Sequence, residues 1–444
     1  MRDSARIQTA IELLQKMQES SRIPMDNTLR DYMKNRRYIG SKDRKYIVEL
    51  VYDVVRASAR LGWWLDKVGL EDAPRARVIA YLMLNGMSVH DLTIRFVDED
   101  HCTGVLTNDE SAAIKKLEGQ KLSIPDMPEI IQAECPEWAE DDLRKIFGKD
   151  FVLHLTAMLE PAQIDLRVNT IRLTVEQAQD SLAKDGVETV KTKYAPAGLR
   201  CLDKPYMSAT KAFHKGFVEI QDEGSQLIAH VCDVKPGMRV LDFCAGGGGK
   251  TLGLAAKMEG KGIIFAMDNS TRRLEKGRRR YKKAGIHNVE VRSLEDDKNR
   301  KWLRRQKDAM DVVLVDAPCS SSGTWRRNPD LRWNWYGPTL EEITLLQAEI
   351  LERVADKVKP GGRLVYATCS LFTRENEERI DKFLAKHSEY KLLNIPEIWP
   401  KGTECPVSGP YLRLNPKDHG TDGFFTAVLQ RQSVTDNPAD IPKE

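Results

Sequence analysis

Five short apolar runs, each followed by a helical pattern, govern what this chain can fold into. They are MRVLDFCA (238–245), GIIFAMD (262–268), NVEVRS (288–293), DVVLVDA (311–317) and GRLVYATCS (362–370). Apolar runs that alternate with helices predict a mostly parallel sheet covered on both faces, the doubly wound α/β arrangement. DGFFTAVLQR (422–431) supplies a late strand after the helices.

The rest of the chain follows other periods. Ile7, Ala10, Ile11, Leu14 and Met17 recur at helical spacing, as do Ile47, Leu50, Val51, Val54 and Val55, and then Val78, Ile79 and Leu82. One apolar stripe per helix predicts a small bundle over residues 1 to about 90. Residues 91–130 read as a polar connector with one helix near 108–118. Strand-like and helical segments alternate over 131–215, where IDLRVNTI (164–171) suits a strand and TVEQAQDSLAKDG (174–186) a helix ended by glycine. A length of 444 residues agrees with several domains: 1–130 helical with its connector, 131–215 mixed α/β, 216–432 doubly wound and 433–444 a loose tail.

Composition narrows the class. Charged residues make up 30% and apolar ones 41%, and no apolar run approaches the roughly 20 residues of a membrane helix. The N-terminal segment is amphipathic and carries acids, unlike a secretory signal, so a cytoplasmic protein is expected. The eight cysteines stand alone, without CxxC or a His/Cys cluster, which points to reduced thiols rather than a metal site. Net charge is only +3, but KNRRYIGSKDRK (34–45), RRLEKGRRRYKK (272–283) and KNRKWLRRQK (298–307) are dense basic stretches that give a polyanion a footing.

In a doubly wound sheet a ligand sits beyond the carboxyl ends of the strands. The first strand ends in DFCAGGGGKT (242–251), whose glycines let backbone and ligand approach closely. A phosphate-cradling GxxxxGK loop needs glycine at 244, where Cys244 stands, and GxGxxG starting at Gly246 needs glycine at 251, where Thr251 stands. The second strand ends in Asp268, a carboxylate suited to ribose hydroxyls as well as to capping the following helix. A nucleoside without a bound polyphosphate matches S-adenosylmethionine.

Two cysteines complete the pattern, in DAPCSSSGTWRRNPDLRW (316–333) and YATCS (366–370). Cys319 and Cys369 each lie just past the carboxyl end of a strand, so neighbouring strands would open both thiols into one crevice. Carbon 5 of cytosine is a poor nucleophile, but a thiolate adding to carbon 6 makes the ring an enamine that can attack a methyl sulfonium. Asp316 is placed to serve ring nitrogen 3, where negative charge develops. A second thiol could assist release of the product.

At these residues the chain resembles the Sun/RsmB-type RNA cytosine-5 methyltransferases, the family that includes the NSUN proteins. ECPEWAEDDLRKIFG, LRVNTIR, GFVEIQDEGSQL, DFCAGGGGKT, DAPCSSSG, RRNPDLRW, YATCS and DGFF appear in the expected order between about 135 and 431. The resemblance implies a Rossmann-like domain in which Cys369 attacks the base and Cys319 helps release product; spacing alone does not rank the two. It implies that Cys244, Ala245, Gly246, Gly247, Gly248, Gly249 and Lys250 surround the methionine part of the cofactor, Asp268 the ribose, Glu295 the adenine, with Asp296 next in line, and Asp316 both methyl donor and base. Gly246 and Gly247 stand where the family usually has Ala-Pro. RRYIGSKDRKYIVELVYDVVR (37–57) resembles the NusB-type RNA-binding module, implying an all-helical NusB-like N-terminal domain and small-subunit (16S) ribosomal RNA as substrate.

The expected protein is a monomer that binds RNA, uses no metal and no membrane, and unstacks its target base. Trp325, Arg326, Arg327, Trp333 and Trp335 follow Cys319 and offer planes for stacking. Transfer RNA as substrate and an assembly factor without catalysis are the alternatives, the second opposed by the intact Asp316, Cys319 and Cys369. Amino methylation would call for (D/N)PP(Y/F), where this chain has DAPC.

Overall fold

Alternate residues of the predicted strands do face opposite ways into two separate apolar layers. Val240, Ile264, Val312, Leu314, Val365 and Val428 join one buried cluster, and Leu241, Phe265, Val313, Val315, Leu364 and Tyr366 the other. A strand apolar at both parities can only be stable between two layers of cover. The computed structural model describes residues 1–20, 22–333 and 337–433, so the tail expected over 433–444 lies, apart from Ser433, outside the described residues. The chain forms two compact units, one of Met1–Glu160 with Trp325–Gly337 and one of Pro161–Thr324 with Pro338–Glu444.

Among the described residues the second unit contains twelve strands in two sheets: β1 (Asp165–Val168), β2 (Thr189–Lys191), β3 (Gly198–Cys201), β4 (Val218–Ile220), β5 (Arg239–Phe243), β6 (Ile263–Asp268), β7 (Val289–Ser293), β8 (Met310–Asp316), β9 (Val358–Thr368), β10 (Tyr390–Leu392), β11 (Leu412–Leu414) and β12 (Phe424–Arg431). The large sheet has the order β10-β12-β9-β8-β5-β6-β7, with β11 also paired to β12. β5 to β9 are parallel, and β12 and β10 run antiparallel to their neighbours. From β5 the chain winds outward through β6 and β7, then returns to the other side of β5 as β8, so the order reverses between β5 and β8. That reversal opens a crevice at the carboxyl ends of the two strands. The fold is the Rossmann-like α/β arrangement expected from the sequence.

β9 starts at Val358, before the predicted Gly362, because Val358 pairs with Met310 across an irregularity in the β8–β9 ladder and Gly361 takes a positive φ of 77°. β10 and β11 have three residues each, too few to show a period, and exist as partners of β12.

The small sheet, β2-β3-β1-β4, is antiparallel throughout. Its helix, Val175–Lys184, begins at a capping box in which Thr174 and Gln177 satisfy each other's backbone N–H groups. Leu166, Val168, Ala178, Leu182, Leu199 and Val218 form its core.

The first unit is helical. Helices Asp3–Glu19, Ser41–Arg56, Ser58–Val68 and Pro74–Leu84 bury Ile7, Ile47, Val51, Leu61, Leu65, Val78 and Ile79 in one cluster. Asn108–Leu117 opens with a Thr107–Glu110 capping box, and helices Glu137–Phe147 and Phe151–Ala157, inside the stretch expected to be mixed, belong to this unit. Buried Arg332 donates to the carbonyls of Ala133, Glu134 and Leu155, and the buried Glu134 carboxylate accepts from the Ala59 and Arg60 backbone and the Arg60 side chain. Such paired charges satisfy groups that would be costly to bury alone. Among the described residues no helix is long and apolar enough to cross a membrane, and no group of three or more His, Cys, Asp and Glu could hold a metal ion.

Candidate active site

β8 and β9 are parallel neighbours with Asp316 opposite Ala367, which brings the segments after both strands to the same edge. Cys319 Sγ and Cys369 Sγ lie 3.4 Å apart there, both as free thiols. Ser321 Oγ is 3.5 Å from Cys369 Sγ, and Ser321 itself takes a left-handed φ of 58°. The Cys369 carbonyl accepts from Gly323 N at 2.9 Å, and the Gly323 carbonyl accepts from Gly423 N at 2.8 Å. A side chain on Gly323 would overlap the Gly423 backbone, which explains glycines at both positions.

The shared sulfur hydrogen bond separates the two thiols electrostatically. The bond to Cys369, followed by burial, pushes the Cys319 thiol well above its ordinary value. Cys369 is lowered: its bond from Cys319 outweighs burial, Ser321 acts in the same lowering sense, and the Asp316 carboxylate and Lys250 ammonium oppose each other. The pair titrates as a unit, with the proton favoured on Cys319.

β5 ends at Phe243, and the chain turns sharply: Cys244, Gly246 and Gly248 all have positive φ, at 74°, 54° and 78°. Ala245 N donates to the Met267 carbonyl and Gly248 N to the Ala245 carbonyl, closing the turn. Gly248 begins the helix Gly249–Lys257, and a side chain there would overlap Tyr281. Gly247 is held through its carbonyl, which accepts from Arg280 Nη1 at 2.6 Å. Burial pushes the Cys244 thiol up.

Lys250, in the first turn of that helix, places Nζ 2.7 Å from Asp316 Oδ2. Burial works to lower the Lys250 ammonium, but Asp316 outweighs it and the group stays above its ordinary value. Asp268, at the end of β6, accepts from Gly246 N at 2.9 Å and from Ser270 N at 2.8 Å, with Arg273 Nη1 at 3.6 Å. Glu295, after β7, is exposed and turns toward Thr271, accepting from its backbone N at 3.5 Å and its hydroxyl at 2.5 Å. Asp296 caps the helix Asp297–Arg304.

Cys319, Cys369, Asp316 and Lys250 therefore come together in one place, and Gly246 with Asp268 in another on the same strand-end edge. Of the aromatic planes considered for stacking, Trp325 is 1% exposed and packs edge-on to Trp138 beneath the Arg332 guanidinium, in the core of the helical unit. Arg326 is buried too, Trp333 is half-buried in a 340 Å³ cavity of that unit, and Trp335 lies outside the described residues.

Two acids carry more of the site than the sequence announced. Asp242 is fully buried, takes the Thr251 hydroxyl on Oδ2 at 2.6 Å and leaves Oδ1 without a partner among the described residues; burial pushes its carboxyl up to about 7. Glu375 is fully buried and accepts from Ser320 N at 2.8 Å, Ser320 Oγ at 2.5 Å, Gln347 Nε2 at 3.0 Å and the Ser370 hydroxyl. Asp242 is adjacent to the glycine loop; Glu375 sits among ordinary helix-start acids, where nothing in the sequence signals burial.

Comparison with known proteins agrees with this arrangement. A family described as 16S rRNA methyltransferase RsmB/F matches residues 229–430, and one described as Methyltr_RsmF/B-like, ferredoxin-like domain matches residues 135–208. The probable ribosomal RNA small subunit methyltransferase B of Synechocystis sp. is 30% identical over 409 residues, covering 88% of this chain and 91% of that protein. The crystal structure of PH0851 aligns with a TM-score of 0.75 and 28% identity over 97% of this chain and 99% of that one. A methyltransferase homolog from Pyrococcus horikoshii aligns at 0.57 and 29% identity over 68% of this chain and 97% of that one. With its thiol-bearing strand ends, glycine turn and likeness along nearly the whole of a curated relative, the chain belongs to the RsmB/F family of RNA methyltransferases.

Proposed function

We propose that this protein transfers a methyl group from S-adenosylmethionine to carbon 5 of a cytosine in small-subunit (16S) ribosomal RNA, through a transient bond between Cys369 and carbon 6. The observation that carries the reading is the 3.4 Å pair of thiols at adjacent strand ends, with the Lys250–Asp316 ion pair alongside. Relatives named for small-subunit ribosomal RNA methylation support the substrate.

The residues present fit the cofactor. Among the described residues Asp242 Oδ1 is a buried acceptor with no partner beside the glycine turn, and Gly247 and Gly249 leave their Cβ directions free of any atom closer than 3.5 Å. Residues 244–250 are assigned to the methionine part, Asp268 to the ribose hydroxyls and Glu295 to the adenine side. When bound, S-adenosylmethionine supplies a methyl group made electrophilic by its sulfonium.

Cys369, the thiol held low, adds to carbon 6 and pushes electron density toward carbon 5 and ring nitrogen 3. Asp316 faces nitrogen 3, and the Lys250 ammonium bonded to it supplies the proton that quenches the developing charge. After carbon 5 is methylated, Cys319, whose own proton goes to solvent once Cys369 is bonded to carbon 6, takes the carbon 5 proton, and the sulfur–carbon bond breaks with its electron pair returning to Cys369, 3.4 Å away. The helical unit (residues 1–130 in the main) and the small sheet serve as RNA-gripping parts. The basic stretch 34–45 is open, with Arg37 exposed and Tyr38 76% exposed.

Methyl transfer from tritium-labelled S-adenosylmethionine to unmodified 16S ribosomal RNA, followed by cytosine mapping, tests the reading. One cytosine gaining a methyl at carbon 5 is the expected result; label on an amino group or only on transfer RNA contradicts it.

A further inference from the structure

Two cysteines so close need something to decide which carries the negative charge. We propose that Glu375 is the positioning residue that ranks them: its buried carboxylate, bonded to the serine after each cysteine, keeps the remaining proton of the pair on Cys319 and leaves Cys369 as the thiolate. The assignment rests on the function proposed above and adds the group that orders its two thiols.

The Glu375 carboxylate accepts four hydrogen bonds, all from uncharged donors, and among the described residues forms no salt bridge. Its contacts are distributed over both thiol loops. Oε1 takes Ser320 N, and Oε2 takes the hydroxyls of Ser320 and Ser370, the residues that directly follow Cys319 and Cys369. Gln347 Nε2 links the same carboxylate to the Pro318 carbonyl, one residue before Cys319, at 3.0 Å to each. Ser322 Oγ closes the web, 3.3 Å from Ser370 Oγ and accepting from Leu371 N at 2.8 Å. Loops 50 positions apart in sequence are thereby locked in one register.

The charge is also unevenly felt. Negative charge at Glu375 disfavours a thiolate at Cys319, the thiol whose following residue it holds by two bonds, whereas at Cys369 the Asp316 carboxylate disfavours a thiolate and its Lys250 partner favours one. When the pair loses one proton to solvent, the proton that remains sits on Cys319 and is donated to Cys369 Sγ. No other atom changes hands.

Alkylation with iodoacetamide, read by peptide mass spectrometry over a pH series, tests this on protein without RNA or cofactor. Wild type should label Cys369 at least about tenfold faster than Cys319 at neutral pH. Glu375→Gln should bring the two rates within about threefold and move the Cys369 labelling midpoint upward, whereas Glu375→Asp should restore the wild-type order. Ser320→Ala guards against a glutamine variant that does not fold, because it keeps the charge and removes one hydroxyl; the preference for Cys369 should survive in it. Preference retained in Glu375→Gln, or lost in Ser320→Ala, overturns the proposal. Labelling of this kind is independent of methyl transfer, so a correct ranking in a protein that methylates nothing would refute the function alone.

Discussion

Lys250 Nζ and Asp316 Oδ2 meet at 2.7 Å although 66 positions separate them in sequence, one at the start of a helix after β5 and the other at the end of β8. The pair spans the point where the sheet order reverses, so the two halves of the winding each contribute one charge. In the proposed mechanism Lys250 is the proton source for Asp316, and Lys250→Met removes it. The expected loss in kcat is about 10²- to 10⁴-fold, with RNA affinity within about threefold of wild type. Steady-state kinetics with a separate RNA-binding isotherm checks this; a change in KM alone would contradict the assignment.

Asp268 holds the glycine turn through Gly246 N and is the residue proposed for the ribose hydroxyls. Asp268→Ala removes both, and the Kd for S-adenosylhomocysteine measured by calorimetry should rise about tenfold or more, the effect of losing charge-assisted hydrogen bonds. An unchanged Kd would remove Asp268 from the cofactor site.

Asp242 gives the protein a pH signature. Its folded-state carboxyl sits near 7, above the unfolded value of about 3.9, so the native state holds an extra proton between those limits. Stability is therefore greatest below about pH 4 as far as this group is concerned, and it falls as pH rises through the window to about 7, by an amount on the order of a few kcal/mol. Asp242→Asn should flatten that part of the curve in chemical denaturation at successive pH values. A curve with the same slope in both proteins would show that Asp242 is not the group responsible.

The helix Thr271–Ala284 exposes Arg272, Lys276 and Arg279, whereas Arg273 and Arg280 are engaged with Asp268 and Gly247. Changing the three exposed cations to Gln should weaken RNA binding evenly across sequences and reduce the slope of log K against log salt by about 2 to 3. Fluorescence anisotropy over a salt series reads both numbers. An unchanged slope would make this face merely solvated.

The parallel sheet was legible because each strand is apolar at both parities, a pattern that only two-sided burial tolerates. The meeting of Cys319 with Cys369 was legible because each follows a strand end and consecutive strands in this half of a doubly wound sheet are neighbours. Trp325 was not. A tryptophan beside a thiol-bearing loop suggests a stacking plane, but here it is buried in the helical unit, because the segment Trp325–Gly337 belongs to that unit. Glu375 was hidden for a different reason: an acid at a helix start is ordinary in sequence, and only the tertiary fold shows it buried between two serine-bearing loops. β10 and β11 owe their existence to β12, a dependence that three residues cannot display.

The most direct measurement is the position of the sulfur that bonds the base. Cys319→Ala, incubated with unmodified 16S ribosomal RNA and S-adenosylmethionine, should accumulate a denaturation-resistant protein–RNA adduct whose nucleotide maps to Cys369 by tandem mass spectrometry, while Cys369→Ala should form none. An adduct formed by Cys369→Ala, or one mapped to any other residue, would contradict the account.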